Sequence, residues 1–391
     1  MKRRRMLAWA LALVLPPLFV RGCLLDSYAI QSASMEPAFH GDTNGSGDQL
    51  LVLRRGADPR PLQRFDAIVL DGSIDRELPA GVSAVLKRVA GLPGEYLYIA
   101  GGDLYAGHEP RPPLVRKPDA LIAGLLVTMH ESTTLDAPWS WVGPGTREPL
   151  PGGGVRLAAG AEADATASAD GSETGLAVFG QLCDDGLPGR PGGESVSDTA
   201  LRVEVGEGDA VLELSLREGA DVFRARLGSA RSGGGATLWH NLGGGVVASA
   251  PDFPGLRAGQ DVLAWNVDNG VRVRVDGATV LAWDYERNAP QPPGDAWHNE
   301  PSLSVHQGSP EVRSVSVLRD LHYTSQGVVG TDEGNACHIG PGLLFVLGDH
   351  SRDSRDSRYL GPVPLEAVRG RPIAIYRPSE RRAWLDAAGL P

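Results

Sequence analysis

The chain has 391 residues and 37 Lys+Arg against 48 Asp+Glu, a formal net charge of −11. That balance excludes a nucleic-acid binder of the usual kind, which presents a basic face, and favours no other partner, because net charge mainly governs solubility. With 51 Gly, 30 Pro, few aromatic residues and almost no long amphipathic helical pattern, the composition predicts a mainly β protein of one large or two ordinary domains.

The chain opens MKRRR, followed by an apolar run from Met6 to Val20. Basic residues before an apolar run place the N-terminus in the cytoplasm and the remainder across the membrane. The run is shorter than the ~20 residues of a full span. Arg21 can snorkel to the interface, which extends the apolar stretch to Leu25. A retained anchor over residues 1–25 is the reading adopted. A cleaved signal peptide ending at Ser27-Tyr28-Ala29 and a lipoprotein signal ending at Cys23 are the alternatives. All three send the remaining chain out of the cytoplasm.

Short β-like apolar runs follow at Gln49–Leu53, Ala67–Leu70, Ala84–Val89 and Tyr96–Ile99. Gly and Pro clusters punctuate them. The same style resumes at Leu343–Leu347 and Ile373–Tyr376. The stretch between, residues 108–335, differs in composition. The segment Ala158–Gly175 is small and polar and reads as linker. Strand patterns then return: Leu201, Val203 and Val205 alternate with polar residues, as do Leu212, Leu214 and Leu216. Val271, Val273 and Val275 precede Asp276-Gly277, a two-residue hairpin turn. These strands predict a β-sandwich of their own. Trp139, Trp141, Trp239, Trp265, Trp283 and Trp297 read first as its core, with a carbohydrate- or peptide-binding face as the sharper alternative. His240 and His298 each follow a tryptophan, but no acidic residue stands at ligand spacing, so no metal is predicted.

The cysteines are Cys23, Cys183 and Cys337, with no CxxC pair. Cys183 and Cys337 could pair in an oxidising compartment. Two free thiols is the other reading, and sequence does not decide between them.

Ser34, in "IQSASMEPAFHGDT", has no evident His–Asp partnership nearby. A serine hydroxyl needs a base, and a neutral lysine can serve if burial lowers its pKa from ~10.4 toward 7–8. The lysines are Lys2, Lys87 and Lys117. Lys2 falls on the cytoplasmic side and Lys117 in a proline-flanked polar stretch. Lys87 sits between Val85-Leu86 and Val89-Ala90, a β-like apolar setting. An edge-strand lysine that blocks aggregation would look the same.

Three segments occur in order: "SASMEPAF", "LKRVAGLPGE" and "FVLGDHSRDSRDSRYLGPVP". Together they resemble the type I signal peptidases, the serine–lysine proteases that release exported proteins from their signal peptides. The resemblance covers residues 18–100 and 343–376 and says nothing of the middle. It implies Ser34 as nucleophile, Lys87 as general base, and Ser32 Oγ with the Ser34 N–H as oxyanion hole. Ser354 matches a serine that hydrogen-bonds the base, and Asp356 and Arg358 match a pair that braces the site. Arg88 and Asp349 match architectural positions, and Met35 a packing position. The sequence departs from the family pattern at Gln31, Ala33, Ala38 and His350, and an extra loop, "GDTNGSG", lies within His40–Asp48. Ser32, Ser34, Ser354, Asp349 and the Asp356–Arg358 pair would otherwise read as turn residues and a surface ion pair.

The resulting expectation is a single-pass protein of a bacterial-type cytoplasmic membrane with its catalytic domain outside. Residues 1–25 are tail and anchor, 26–107 and 336–391 a split catalytic domain with a signal-peptidase-like β fold, and 108–335 an inserted β-sandwich. Its partners would be preprotein signal peptides and the bilayer, with no cofactor, no metal, no nucleic acid, and an unknown ligand for the insertion. The rival classes are an anchored binding protein with an inactive peptidase domain, and a self-cleaving serine–lysine repressor. The intact Ser34–Lys87 pair argues against the first. The anchor and the lack of a DNA-binding helix pair argue against the second.

Overall fold

The computed structural model describes residues 24–390 except 80, 143–144, 159–174, 181–182, 243 and 287–300. The apolar N-terminal run to Val20, Cys23, Trp297, His298 and nearly all of the small polar stretch lie outside the described residues. Among the described residues, no helix is long and apolar enough to cross a membrane.

The chain divides into two compact units. One is Met1–Leu125 with His322–Pro391; the other is Leu126–Leu321. The division therefore falls inside the compositional limits of 108 and 335. On one side, the helix Asp119–Leu125 buries Leu121, Ile122 and Leu125. On the other, the returning chain hydrogen-bonds within the first unit, where Ile99 N–H donates to Gly330 O and Tyr323 N–H to Gly102 O.

In the first unit, strands β1 (Leu25–Ala29), β2 (Gln49–Arg54), β3 (Ala67–Asp71) and β4 (Ala84–Gly91) are joined by strands from the C-terminal segment. The order is β1, β2, Val368–Arg377, β3, β4, Leu343–Leu347, Val363–Pro364, and Ala383–Trp384 pairs with Val368–Arg377. The described pairings in this sheet are antiparallel. A smaller sheet orders Cys337–His338, β5 (Tyr96–Ala100) and β6 (Asp103–Gly107). β3 is apolar on both faces because cores lie on both sides of it. Val69 packs with Ile30, Met35, Phe39 and Leu86, while Ile68 and Leu70 pack with Val89, Leu344 and Val346. β4 lies between β3 and Leu343–Leu347, so the edge-strand reading of Lys87 does not hold. β1 begins at Leu25, where the sequence had suggested the end of an anchor.

In the second unit, two sheets of eight and seven strands face each other across one apolar core. Leu201, Val203 and Val205, Leu212, Leu214 and Leu216, and Val271, Val273 and Val275 all contribute to it. Asp276 and Gly277 join the strands Gly270–Val275 and Ala278–Asp284 with φ of 49° and 79°. Both values are positive, as a turn matching the strand twist requires. Cys183 and Cys337 are free thiols. Burial pushes the Cys183 thiol up to about 12, which makes it a poor nucleophile.

Candidate active site

Ser34 lies on a single 3-10 turn, Ala33–Met35, directly after the strand extension Ile30–Ser32. Met35 is fully buried beneath it in the core with Ile30, Phe39 and Leu86. The turn's backbone is tied to the third motif, since His350 N–H donates to Ser34 O at 3.1 Å. That contact uses only the backbone of residue 350, so histidine in place of asparagine leaves it intact. The His350 side chain is buried and lies 3.3 Å from Asp353.

Lys87 sits in the middle of β4 opposite Ile68. Its Nζ donates to Ser34 Oγ at 2.8 Å, and both residues are buried. Ser32 Oγ lies 3.2 Å from Ser34 Oγ, and Ser32 itself is exposed. Lys117 is buried too; burial alone does not single out Lys87, whereas contact with a serine hydroxyl does.

Burial pushes the Lys87 ammonium down from 10.5 to about 8. Asp356 and Asp349 oppose this, and Arg358 reinforces it. The carboxylates do not prevail because each is held by an arginine of its own. Arg88, next to Lys87 on the strand, turns to the opposite face. It donates to both oxygens of Asp349, at 2.6 and 2.5 Å, and to the carbonyls of Phe65 and Ala388 at 2.8 and 2.6 Å. Burial works against the Arg88 charge, but the Asp349 carboxylate more than offsets it, so its pKa is raised. Arg358 donates to both oxygens of Asp356 at 2.9 Å, and Asp356 also accepts from Gly348 N–H at 3.0 Å. Lys87 thus meets a hydroxyl rather than a carboxylate, and loss of hydration decides its protonation.

Ser354 is placed beside the pair but not bonded to it. Its Oγ is buried without a hydrogen-bond partner. It occupies the space left by Gly348, where an added Cβ would lie 2.2 Å from Ser354 Oγ and 2.5 Å from Ser34 O. The hydrogen bond from Ser354 to the lysine that the motif implies is therefore not made in this arrangement.

Two further residues that the motifs did not single out, Thr324 and Ser351, hold the Arg358 guanidinium. Thr324 is fully buried and accepts from Arg358 through both its carbonyl, at 3.0 Å, and its Oγ1, at 2.5 Å. Ser351 accepts from Arg358 at its carbonyl and from Thr324 N–H at its Oγ. The Thr324 contacts depend on where the returning chain re-enters the unit, whereas the Ser351–Arg358 bond is local to the third motif.

A groove of about 470 Å³ opens onto Ser34. One wall runs Ser27–Ser32 and the other Val82–Leu86, with Met35 and Val69 also lining it. Ile30 N–H donates to Asp48 O on the β2 side. Ala29 and Gln31, on either side of Ile30, both line the groove. A second cavity, of about 410 Å³ and lined by Arg55, Leu62, Leu365 and Arg371 among others, contains neither Ser34 nor Lys87.

The antiparallel β unit thus buries a serine against a lysine of lowered pKa, with a groove leading to the serine. The chain belongs to the signal peptidase family, peptidase S26, whose family model matches residues 3–121 and 270–377. Signal peptidase I V of Bacillus subtilis (strain 168) is 29% identical over 128 residues, 32% of this chain and 68% of that protein. The mitochondrial ATP-independent inner membrane protease subunit 1b of Arabidopsis thaliana is 44% identical over 43 residues, 11% of this chain and 25% of that one. Among solved structures, a Bacillus subtilis protein of unknown function with a galectin-like fold is 10% identical. It covers 50% of this chain and 97% of its own, with a TM-score of 0.31.

Proposed function

We propose that this protein is a membrane-anchored serine endopeptidase that removes signal peptides from exported preproteins by acyl transfer. The observation that carries the reading is the buried Lys87 Nζ, 2.8 Å from Ser34 Oγ, with its pKa lowered to about 8. A lysine near 8 is about one-tenth neutral at pH 7, against less than about one-thousandth for an unperturbed lysine, so it can accept the serine proton, and a catalytic pKa near the operating pH is the effective choice.

An extended peptide lies in the groove and pairs with the backbone groups of Ala29 and Gln31, a strand-addition mode that reads the chain independently of sequence. Neutral Lys87 takes the Ser34 proton as Oγ attacks the scissile carbonyl. Ser32 Oγ and the Ser34 N–H donate to the developing oxyanion, each donor worth about 2.7–4 kcal/mol in comparable sites. Protonated Lys87 then gives its proton to the leaving amine. A water activated by Lys87 releases the acyl-enzyme and restores Ser34. The two arginine–aspartate pairs hold the third motif and β4 in register and keep their carboxylates away from the lysine. Ser354 supports the site by packing, and the chain before β1 anchors the protein in a bacterial-type cytoplasmic membrane with the site outside. The unit Leu126–Leu321 is read as an inserted domain with a role of its own.

The test is cleavage in detergent of a preprotein carrying an Ala-x-Ala site. Wild type cuts at that site and Ser34→Ala does not. Equal cleavage by both proteins removes Ser34 from the mechanism.

A further inference from the structure

The loop within His40–Asp48, which the family pattern does not contain, comes to the rim of the groove, where Thr43 is one of the lining residues. It is pressed onto the strand extension that carries Ser32. Asp42 N–H donates to Ile30 O at 3.3 Å. A Cβ added at Gly41 would lie 1.8 Å from Ser32 O, and one at Gly47 would lie 2.3 Å from Ile30 O. Neither glycine has a positive φ, so glycine is needed there for close approach to another backbone and not for its conformational range. The loop is also braced from within. The Asp42 carboxylate accepts from Asn44 N–H at 2.8 Å and from Ser46 Oγ. The Asp48 carboxylate accepts from His40 N–H at 2.8 Å and from Arg381 at 2.8 and 2.9 Å.

We propose that this loop is a fixed wall of the groove and that Thr43 limits the size of the substrate side chain accepted beside Ser32. The proposal rests on the peptidase reading above and adds a determinant of substrate choice specific to this chain. A wall hydrogen-bonded to the backbone at Ile30 and packed closely against it at Ser32 is held against the Ser32–Ser34 turn. A larger side chain is therefore refused at this point, whereas a mobile loop would make way for it. Thr43 is exposed to the groove, so its side chain is free to change without disturbing a core.

The experiment uses the full chain in detergent and peptides that differ only by Ala, Val or Leu at each of the residues just before the cleaved bond. Wild type cleaves the alanine peptide and Ser34→Ala does not, which checks the peptidase reading separately. At one of these positions, Thr43→Ala raises kcat/KM for the valine peptide by about tenfold, the scale of one methylene in a pocket. The alanine peptide changes less than about twofold. Thr43→Trp moves the same ratio in the opposite direction. If wild type cleaves the alanine peptide but the valine-to-alanine ratio is unchanged in both variants at every position, the loop is not the wall and the proposal is overturned. If wild type cleaves none of the peptides, the peptidase reading falls and the proposal falls with it.

Discussion

Replacing Lys87 by methionine should stabilise the protein at neutral pH while abolishing its activity. Methionine keeps an unbranched side chain of similar reach and removes the charge. The fall in the lysine pKa from 10.5 to about 8 has burial as its largest cause, and at ~1.36 kcal/mol per pH unit it corresponds to about 3 kcal/mol against the charged folded state. Against this, the substitution gives up the hydrogen bond to Ser34, worth about 1 kcal/mol. Ser34 Oγ keeps Ser32 Oγ at 3.2 Å. The net expectation is a variant about 2 kcal/mol more stable at pH 6 to 7. The sign follows from linkage. Below about pH 8 the lysine is protonated in both folded and unfolded chains, and the full penalty applies to wild type. Between about 8 and 10.5 only the unfolded chain holds the proton, so wild-type stability rises with pH. Above 10.5 the penalty is gone and the variant loses its advantage. Urea unfolding of both proteins from pH 6 to 11 measures this, with the unit Leu126–Leu321, which contains no part of the site, as internal reference. A variant less stable than wild type at pH 6, or a difference that does not change with pH, would refute the desolvation argument.

The same lysine fixes the pH dependence of catalysis: kcat/KM should rise with pH through a midpoint near 8. A midpoint above about 10 would show an unperturbed lysine. Because Asp356 raises the Lys87 pKa, Asp356→Asn should move that midpoint downward, and an upward move contradicts the assignment. Ser32→Ala should lower turnover by about 10²–10³ with an unchanged unfolding midpoint; a loss confined to KM would make Ser32 a substrate contact and not an oxyanion donor. Thr324→Val removes a buried acceptor from the Arg358 guanidinium and should destabilise the catalytic unit by about 1–3 kcal/mol. Thr324→Ser should restore it, and failure of that rescue would assign the effect to packing.

The Ser34–Lys87 contact was foreshadowed in the sequence because the proposed chemistry restricts residue type. A lysine base needs an apolar setting, which Val85, Leu86, Val89 and Ala90 give Lys87, but that setting fits an edge-strand lysine equally well and only the three motifs in order single Lys87 out. What tunes the pair was not readable, because it works through contacts that any residue can make or that arise only from tertiary return. Whether β4 is central or at an edge depends on its pairing with Leu343–Leu347, far along the chain. Thr324 reaches Arg358 across 34 positions, and its neighbours carry no pattern that distinguishes it from any other polar threonine. The tie between the third motif and the nucleophile is a backbone N–H at residue 350, so neither asparagine nor histidine there reports it. Ser354 and Gly348 both belong to the third motif, but that Ser354 Oγ fills the space left by Gly348 and makes no hydrogen bond is a matter of packing that residue type does not report. Gly41 and Gly47 look like ordinary loop glycines, yet each stands where a single methyl group would collide with the strand extension leading to Ser34. The loop that the sequence comparison could only describe as surplus is therefore coupled to the nucleophile turn. Gly41→Ala, which changes no reacting group, should lower turnover by displacing Ser32, whereas alanine at the exposed Gly56, where φ is not positive and the added Cβ meets nothing within 4 Å, leaves Ser32 in place.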